Sequence, residues 1–185
     1  MRYHTFGSTG LYISVLGLGT MTFGGGVSDV YSHFGAQDQA QADAMVRLAF
    51  DAGVNYFDTS NIYNNGEAED LLGKALSNVG IQRDQVIIGS KVFGLMEGRQ
   101  ENARRTPNDS GLSRRHIMNS IEGTLKRLNT DLDLYQAHGF DPDTPIEETL
   151  RAFDDLINSG KVRYIGCSNW PACIYKHFNH QMIVI

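Results

Sequence analysis

The sequence predicts an α/β fold, about five βα units following an N-terminal β-hairpin. Three observations lead there. Short β-rich runs alternate with one-faced helical patterns, an order that favours parallel strands joined by helical crossovers. Asp58, Lys91 and His138 fall near the ends of successive predicted strands, which in a parallel sheet share one face. Two long polar or glycine-rich stretches, 24–37 and 94–111, follow the first and third strands, where α/β enzymes place active-site loops.

The elements follow in order. A hairpin is predicted from 3–6 and 11–14, then strands at 15–20, 54–58, 86–92, 132–138 and 162–168. The first helix carries Met45, Leu48, Ala49 and Ala52 at i, i+3, i+4 and i+7, with Asp38 and Gln41 as a capping pair and Gly53 as its stop. Ala68, Leu71, Leu72, Ala75 and Leu76 mark the second. Ile117, Ile121, Thr124, Leu125 and Leu128 mark the third behind Ser113. The fourth opens on Thr144-Pro145-Ile146-Glu147, a cap, a first-turn proline and a reciprocal glutamate, and continues through Leu150, Phe153 and Ile157 to Gly160.

Composition narrows the function. With 185 residues and 41% hydrophobic content, the chain can build one sizeable core. A net charge of -5 argues against nucleic acid and anionic membrane as partners and favours a small molecule. Cys167 and Cys173 lack zinc-ligand spacing and read as reduced thiols. The N-terminus has no apolar signal core and no apolar run spans a bilayer, so the expectation is a soluble cytoplasmic protein. Gly24-Gly25-Gly26 lacks dinucleotide-fingerprint spacing and reads as a loop. Arg99, Arg104, Arg105, Arg114 and Arg115 form the basic concentration and read as a solvated loop and helix start. Trp170 reads as packing.

Asp58, Tyr63, Lys91 and His138 together fit carbonyl reduction by hydride transfer. Negative charge grows on the carbonyl oxygen as hydride arrives, so a proton donor and fixed positive or dipolar groups lower the barrier. A phenol of pKa about 10 is a poor acid unless a nearby ammonium or imidazole eases its loss of a proton. Taken singly, each residue has an ordinary reading: a loop aromatic, a strand-end lysine, a core histidine, an aspartate capping a turn.

Several motifs in order resemble the aldo-keto reductase family from about Phe6 to Ala172: Gly17-Leu18-Gly19-Thr20-Met21, Asp51 through Thr59, Tyr63 with Gly66-Glu67-Ala68-Glu69, Ser90-Lys91-Val92, Leu134-Tyr135-Gln136-Ala137-His138, and Gly160 through Asn169. The resemblance implies a partial TIM (β/α)8 barrel over residues 1–172, a non-matching tail over 173–185, and NADPH (NADP) as cofactor for reducing an aldehyde or ketone. It implies Tyr63 as general acid, Lys91 lowering its pKa, Asp58 holding Lys91 through an ion pair, and His138 orienting the carbonyl. Ser168 and Asn169 would hold the nicotinamide carboxamide, Thr20 and Met21 would line its ring, and Asp58 completes the cofactor-contacting set.

A full barrel of this type needs about 250 residues. The strands that stack the nicotinamide and grip the adenosine 2′-phosphate in family members are not recognisable, and residues 173–185 resemble none of them. Residues 182–185 are apolar enough for a short sixth strand but too few to close a barrel. An exposed sheet edge invites self-association. Two other readings stay open: a non-catalytic partner-binding module like the potassium-channel β subunits that share this barrel, and an inactive fragment.

Overall fold

The computed structural model describes residues 1–25, 36–96, 106–171 and the strand Met182–Val184. An antiparallel hairpin of β1 (Tyr3–Thr5) and β2 (Tyr12–Ser14) precedes a parallel sheet. Its strands are β3 (Gly17–Gly19), β4 (Tyr56–Asp58), β5 (Ile87–Val92), β6 (Leu132–Ala137), β7 (Val162–Cys167) and β8 (Met182–Val184), lying side by side in chain order. Helices α1 (Gln39–Asp51), α2 (Glu67–Val79), α3 (Arg114–Leu128) and α4 (Ile146–Asn158) connect β3 through β7. This is an arc of a (β/α)8 barrel, with β3 and β8 as its two ends. The predicted strands are each present, trimmed by one or two residues at their ends. β8 adds a sixth, pairing in parallel with Ile165, Gly166 and Cys167 of β7.

Alternation along the strands divides the interior in two. Phe57, Ile88, Val92, Tyr135, Ala137, Ile165 and Cys167 face the helices and join Ala68, Leu72, Ile117, Ile121, Phe153 and Leu156 in the main core. Each large apolar side chain buried there contributes about 1.5–3 kcal/mol. On the opposite face, Tyr56, Ile87 and Leu134 pack against Phe6 and Ile13, so the hairpin plugs the N-terminal end of the sheet. Asn55 stitches the plug in place, accepting from the Ser14 amide at 2.7 Å and returning its own amide to the Ser14 hydroxyl at 3.1 Å. The inner face beyond this floor is polar.

Local signals in the helices are mostly obeyed. Asp38 and Gln41 form a reciprocal capping box on α1, and the Ser113 hydroxyl accepts from the His116 amide to start α3. α2 and α3 approach closely at Gly73, where a methyl group would sit 2.3 Å from the Leu128 carbonyl oxygen. Two expectations fail. The face of α1 that packs inward carries Ala42 and Val46 with the predicted Met45 and Ala49 beside them, while Leu48 is 73% exposed. Two apolar stripes overlap on this helix, and periodicity cannot rank them; packing centres the buried face on Ala42 and Val46 and leaves Leu48 outside it. At α4 the boundary holds but the cap does not: Thr144 donates its hydroxyl to Asp141 at 2.7 Å, and Pro145 stands at the cap position without a side-chain bond.

Asp141 also accepts from the Leu112 amide at 2.6 Å, pinning the loop after β5 to the loop after β6. Arg99, Arg104 and Arg105, Gly26, and residues 173–181 of the tail, including Cys173, lie outside the described residues. No helix among the described residues is long and apolar enough to cross a membrane.

Candidate active site

Asp58 ends β4, Lys91 is the penultimate residue of β5, and His138 follows β6 directly. Parallel register sets Asp58 beside Gly89 and Lys91 beside Gln136, so Lys91 stands one interior layer above Asp58 at the C-terminal rim. Tyr63 comes from the turn that follows β4. That turn is unusual: Asn64 (φ 47°), Asn65 (φ 54°) and Gly66 (φ 84°) are all left-handed, a run that asparagine and glycine tolerate best. The buried Asn64 amide anchors it by donating to the Phe23 carbonyl at 2.7 Å.

The four residues converge. Lys91 is 6% exposed, and its ammonium pairs with Asp58 Oδ2, donates to the Thr59 carbonyl at 2.9 Å and reaches the Tyr63 hydroxyl at 3.4 Å. The same nitrogen lies 5.1 Å from the centre of the Tyr63 ring. His138 meets Tyr63 edge to face, ring centres 5.6 Å apart. A cavity of about 510 Å³ at the same rim, lined by Phe93, Asn108, Asp141 and Thr144 among others, contains none of the four. The four residues lie on the polar inner face, outside that loop cavity.

Protonation states follow from burial. The Tyr63 phenol is pushed up to about 12, first by burial and then by the Asp58 charge. The rise stands with the Lys91 ammonium 3.4 Å from the hydroxyl, because desolvation and the Asp58 charge prevail. Tyr63 thus holds its proton across the ordinary pH range, the form a proton donor requires. His138 is lowered to about 4, first by burial and then by Lys91, so its imidazole is neutral near pH 7.

Sequence reasoning missed the groups that orient these four. Ser60, fully buried two residues after Asp58, lies 3.0 Å from His138 Nδ1 through its hydroxyl. The Tyr56 hydroxyl donates to Asp58 Oδ1 at 3.0 Å, and the Gln136 amide donates to the same oxygen at 3.3 Å. The available signal was period two: Tyr56 and Asp58, and Gln136 and His138, alternate onto one face.

The remaining predicted residues line the same rim. Thr20, fully buried, donates both its amide (2.9 Å) and its hydroxyl (3.2 Å) to the Asp58 carbonyl. Met21 follows, and its carbonyl accepts from Asn64 at 3.4 Å. At the end of β7, Asn169 is left-handed (φ 57°) and donates to the His138 carbonyl and to the Ser168 hydroxyl, both at 3.0 Å. A hydroxyl beside an amide matches the donor and acceptor of a primary carboxamide. Trp170 packs, as predicted, edge to face on Phe140 and donates to the Gly139 carbonyl at 3.0 Å.

Comparison with known proteins agrees with the fold. The sequence profile of the Aldo/keto reductase family matches residues 15–183. The chain belongs to the aldo/keto reductase family. Among its relatives, a protein of Oryza sativa subsp. japonica provisionally named a voltage-gated potassium channel subunit beta is 38% identical over 174 residues, covering 93% of this chain and 48% of that protein. A protein of Schizosaccharomyces pombe provisionally named an aryl-alcohol dehydrogenase is 36% identical over 180 residues, covering 90% of this chain and 51% of that one. The holo form of an aldo-keto reductase from Bacillus halodurans superimposes with a TM-score of 0.78 at 32% identity, covering 96% of this chain and 53% of that structure. This aldo/keto reductase chain spans about half the length of the relatives it matches.

Proposed function

We propose that this chain carries the catalytic rim of an NADPH-dependent reductase that converts aldehydes or ketones to alcohols, with Tyr63 as general acid. The observation that carries the reading is the approach of the Lys91 ammonium to the Tyr63 hydroxyl while Asp58 holds the lysine from the other side. Bound NADPH would supply the hydride. As charge builds on the carbonyl oxygen, Tyr63 passes its proton to it, and Lys91 stabilises the phenolate left behind. His138, neutral and fixed by Ser60, offers a hydrogen bond that orients the carbonyl. Ser168 and Asn169 would hold the nicotinamide carboxamide, with Thr20, Met21 and Asp58 beside its ring. NADPH is preferred to NADH on the family resemblance alone.

The test is titration of the purified chain with NADPH and NADH, followed by fluorescence and thermal shift, then turnover with a panel of aldehydes. Saturable binding that raises the unfolding temperature, tighter for NADPH, is expected. Tyr63→Phe should keep binding and lose about 10²- to 10⁴-fold in turnover. Equal turnover in the two proteins would remove Tyr63 from the mechanism, and silence in the titration would remove the cofactor.

A second reading, a non-catalytic module that binds a potassium channel, is favoured by relatives from rice and Arabidopsis thaliana that carry channel-subunit names, each 38% identical. Co-elution with a channel's cytoplasmic domain would support it. Among the described residues, β3 and β8 each pair on one side only. We extend the proposal to self-association there, checked by sedimentation across concentrations.

A further inference from the structure

We propose that Tyr56 is a positioning residue for this site, its phenol clamping the free oxygen of Asp58 from a slot that Gly17 and Gly89 keep open. The inference rests on the reading that Lys91 and Asp58 serve Tyr63 in carbonyl reduction.

Asp58 divides its two oxygens. Oδ2 takes the Lys91 ammonium; Oδ1 takes the Tyr56 hydroxyl at 3.0 Å and the Gln136 amide at 3.3 Å. Tyr56 and Asp58 are two residues apart on one strand, hence on one face of the sheet, and the phenol reaches along the strand to its neighbour. The ring needs space that the flanking strands leave vacant. A methyl group on Gly17 of β3 would sit 2.8 Å from Tyr56 Cδ1, and one on Gly89 of β5 would sit 2.8 Å from the Tyr56 hydroxyl oxygen. Neither glycine lies in the left-handed region, so room for the ring, and not backbone freedom, accounts for a glycine at each place. Phe6 of the hairpin, ring centre 5.8 Å away, closes the slot from below. Burial and the Asp58 charge hold the phenol protonated, so it remains a donor.

The clamp matters because Lys91 is shared. Its ammonium contacts Asp58, the Thr59 carbonyl and, at its longest distance, Tyr63. Without the Tyr56 hydroxyl, Oδ1 keeps only the longer Gln136 contact, so the carboxylate can swing and the lysine follows it away from the phenol. Tyr56 acts on Tyr63 through two intermediates and touches no reacting atom.

The experiment is a double-mutant cycle on the full chain, with Tyr56→Phe, Gly89→Ala and both together. Tyr56→Phe should lower kcat about tenfold, the size expected for losing one hydrogen bond to a charged group, with KM changed less than about twofold. Gly89→Ala should act in the same direction by displacing the hydroxyl. The double variant should lose less than the two single losses combined, since removing the hydroxyl relieves the 2.8 Å contact and leaves ring carbons at 3.2 and 3.4 Å; additive losses would overturn the proposal. A second readout needs no turnover. A slowly exchanging hydroxyl proton should appear in the NMR spectrum of the chain, vanish in Tyr56→Phe and move in Asp58→Asn. Its absence, or indifference to Asp58→Asn, overturns the clamp even if the chain proves inactive; its presence in an inactive chain upholds the clamp while the reductase reading fails.

Discussion

Two buried ion pairs sit back to back across β5 and do different work. Behind the sheet, Glu69 of α2 is fully buried; its Oε1 accepts from the Ser90 hydroxyl at 2.6 Å and its Oε2 from Arg127 of α3 at 2.5 Å. Arg127 also fills the space beside Gly66, where a methyl group would lie 2.6 Å from its Nε. In front of the sheet, one residue on from Ser90, Lys91 pairs with Asp58, whose side chain keeps 25% of its exposure, and a phenol stands within reach. Both pairs are charged and inside. The first, with the buried Tyr135 phenol beside it, is shut away from solvent and ties α2, α3 and β5 together; the second opens onto the rim beside Tyr63. Each pair has a phenol beside it, so access to the rim, and not burial of charge, is what separates them.

Breaking each pair should separate stability from activity. Glu69→Ala strands Arg127 without a counter-charge and should cost about 3–5 kcal/mol of folding stability, read by chemical denaturation. Turnover per folded molecule should be retained. Lys91→Met leaves Asp58 with two donors and should preserve folding better. It should reduce turnover by about 100-fold or more under the proposed mechanism. If Glu69→Ala abolishes turnover in protein that remains folded, or Lys91→Met unfolds the chain, the contrast fails.

A pH series sharpens it. His138 titrates near 6.5 when unfolded and near 4 when folded, so between those values the unfolded chain binds the extra proton. Stability should therefore fall as pH drops from about 6.5 to about 4, and His138→Gln should flatten that limb in a denaturation series. Tyr63 works in the opposite sense: its raised value means stability is lost as pH climbs from 10 toward about 12, and Tyr63→Phe should remove that loss. The smallest effect concerns α1, where Leu48 lies off the packed face. Leu48→Ala, exposed, should change stability within about 0.5 kcal/mol, whereas Val46→Ala, fully buried, should cost more. Equal effects in thermal unfolding would restore the predicted face.

Much of the fold was legible because local chemistry and burial agree. The run of βα units, the Asp38–Gln41 box, the Ser113 cap and the apolar faces of α2 and α3 all follow from periodicity and from side chains that satisfy backbone within four residues. Where two local solutions compete, as for the stripes of α1 or the cap of α4, neighbours decide. Thr144 bonds to Asp141 and not to the helix end, and Asp141 is itself fixed by Leu112, 29 residues away in sequence and adjacent in space.

The chain's letters alone determined which residues alternate onto the inner face of a parallel sheet, and so that Asp58, Lys91 and His138 would share one rim, because period two and a common strand direction are properties of the backbone. Tertiary structure decided what those residues do to one another. Distances among Ser60, His138, Tyr56, Gln136 and Asp58 span up to 78 positions of sequence, and the protonation of Tyr63 depends on how much water its surroundings exclude. Desolvation is a property of the packed whole, and no stretch of sequence carries it.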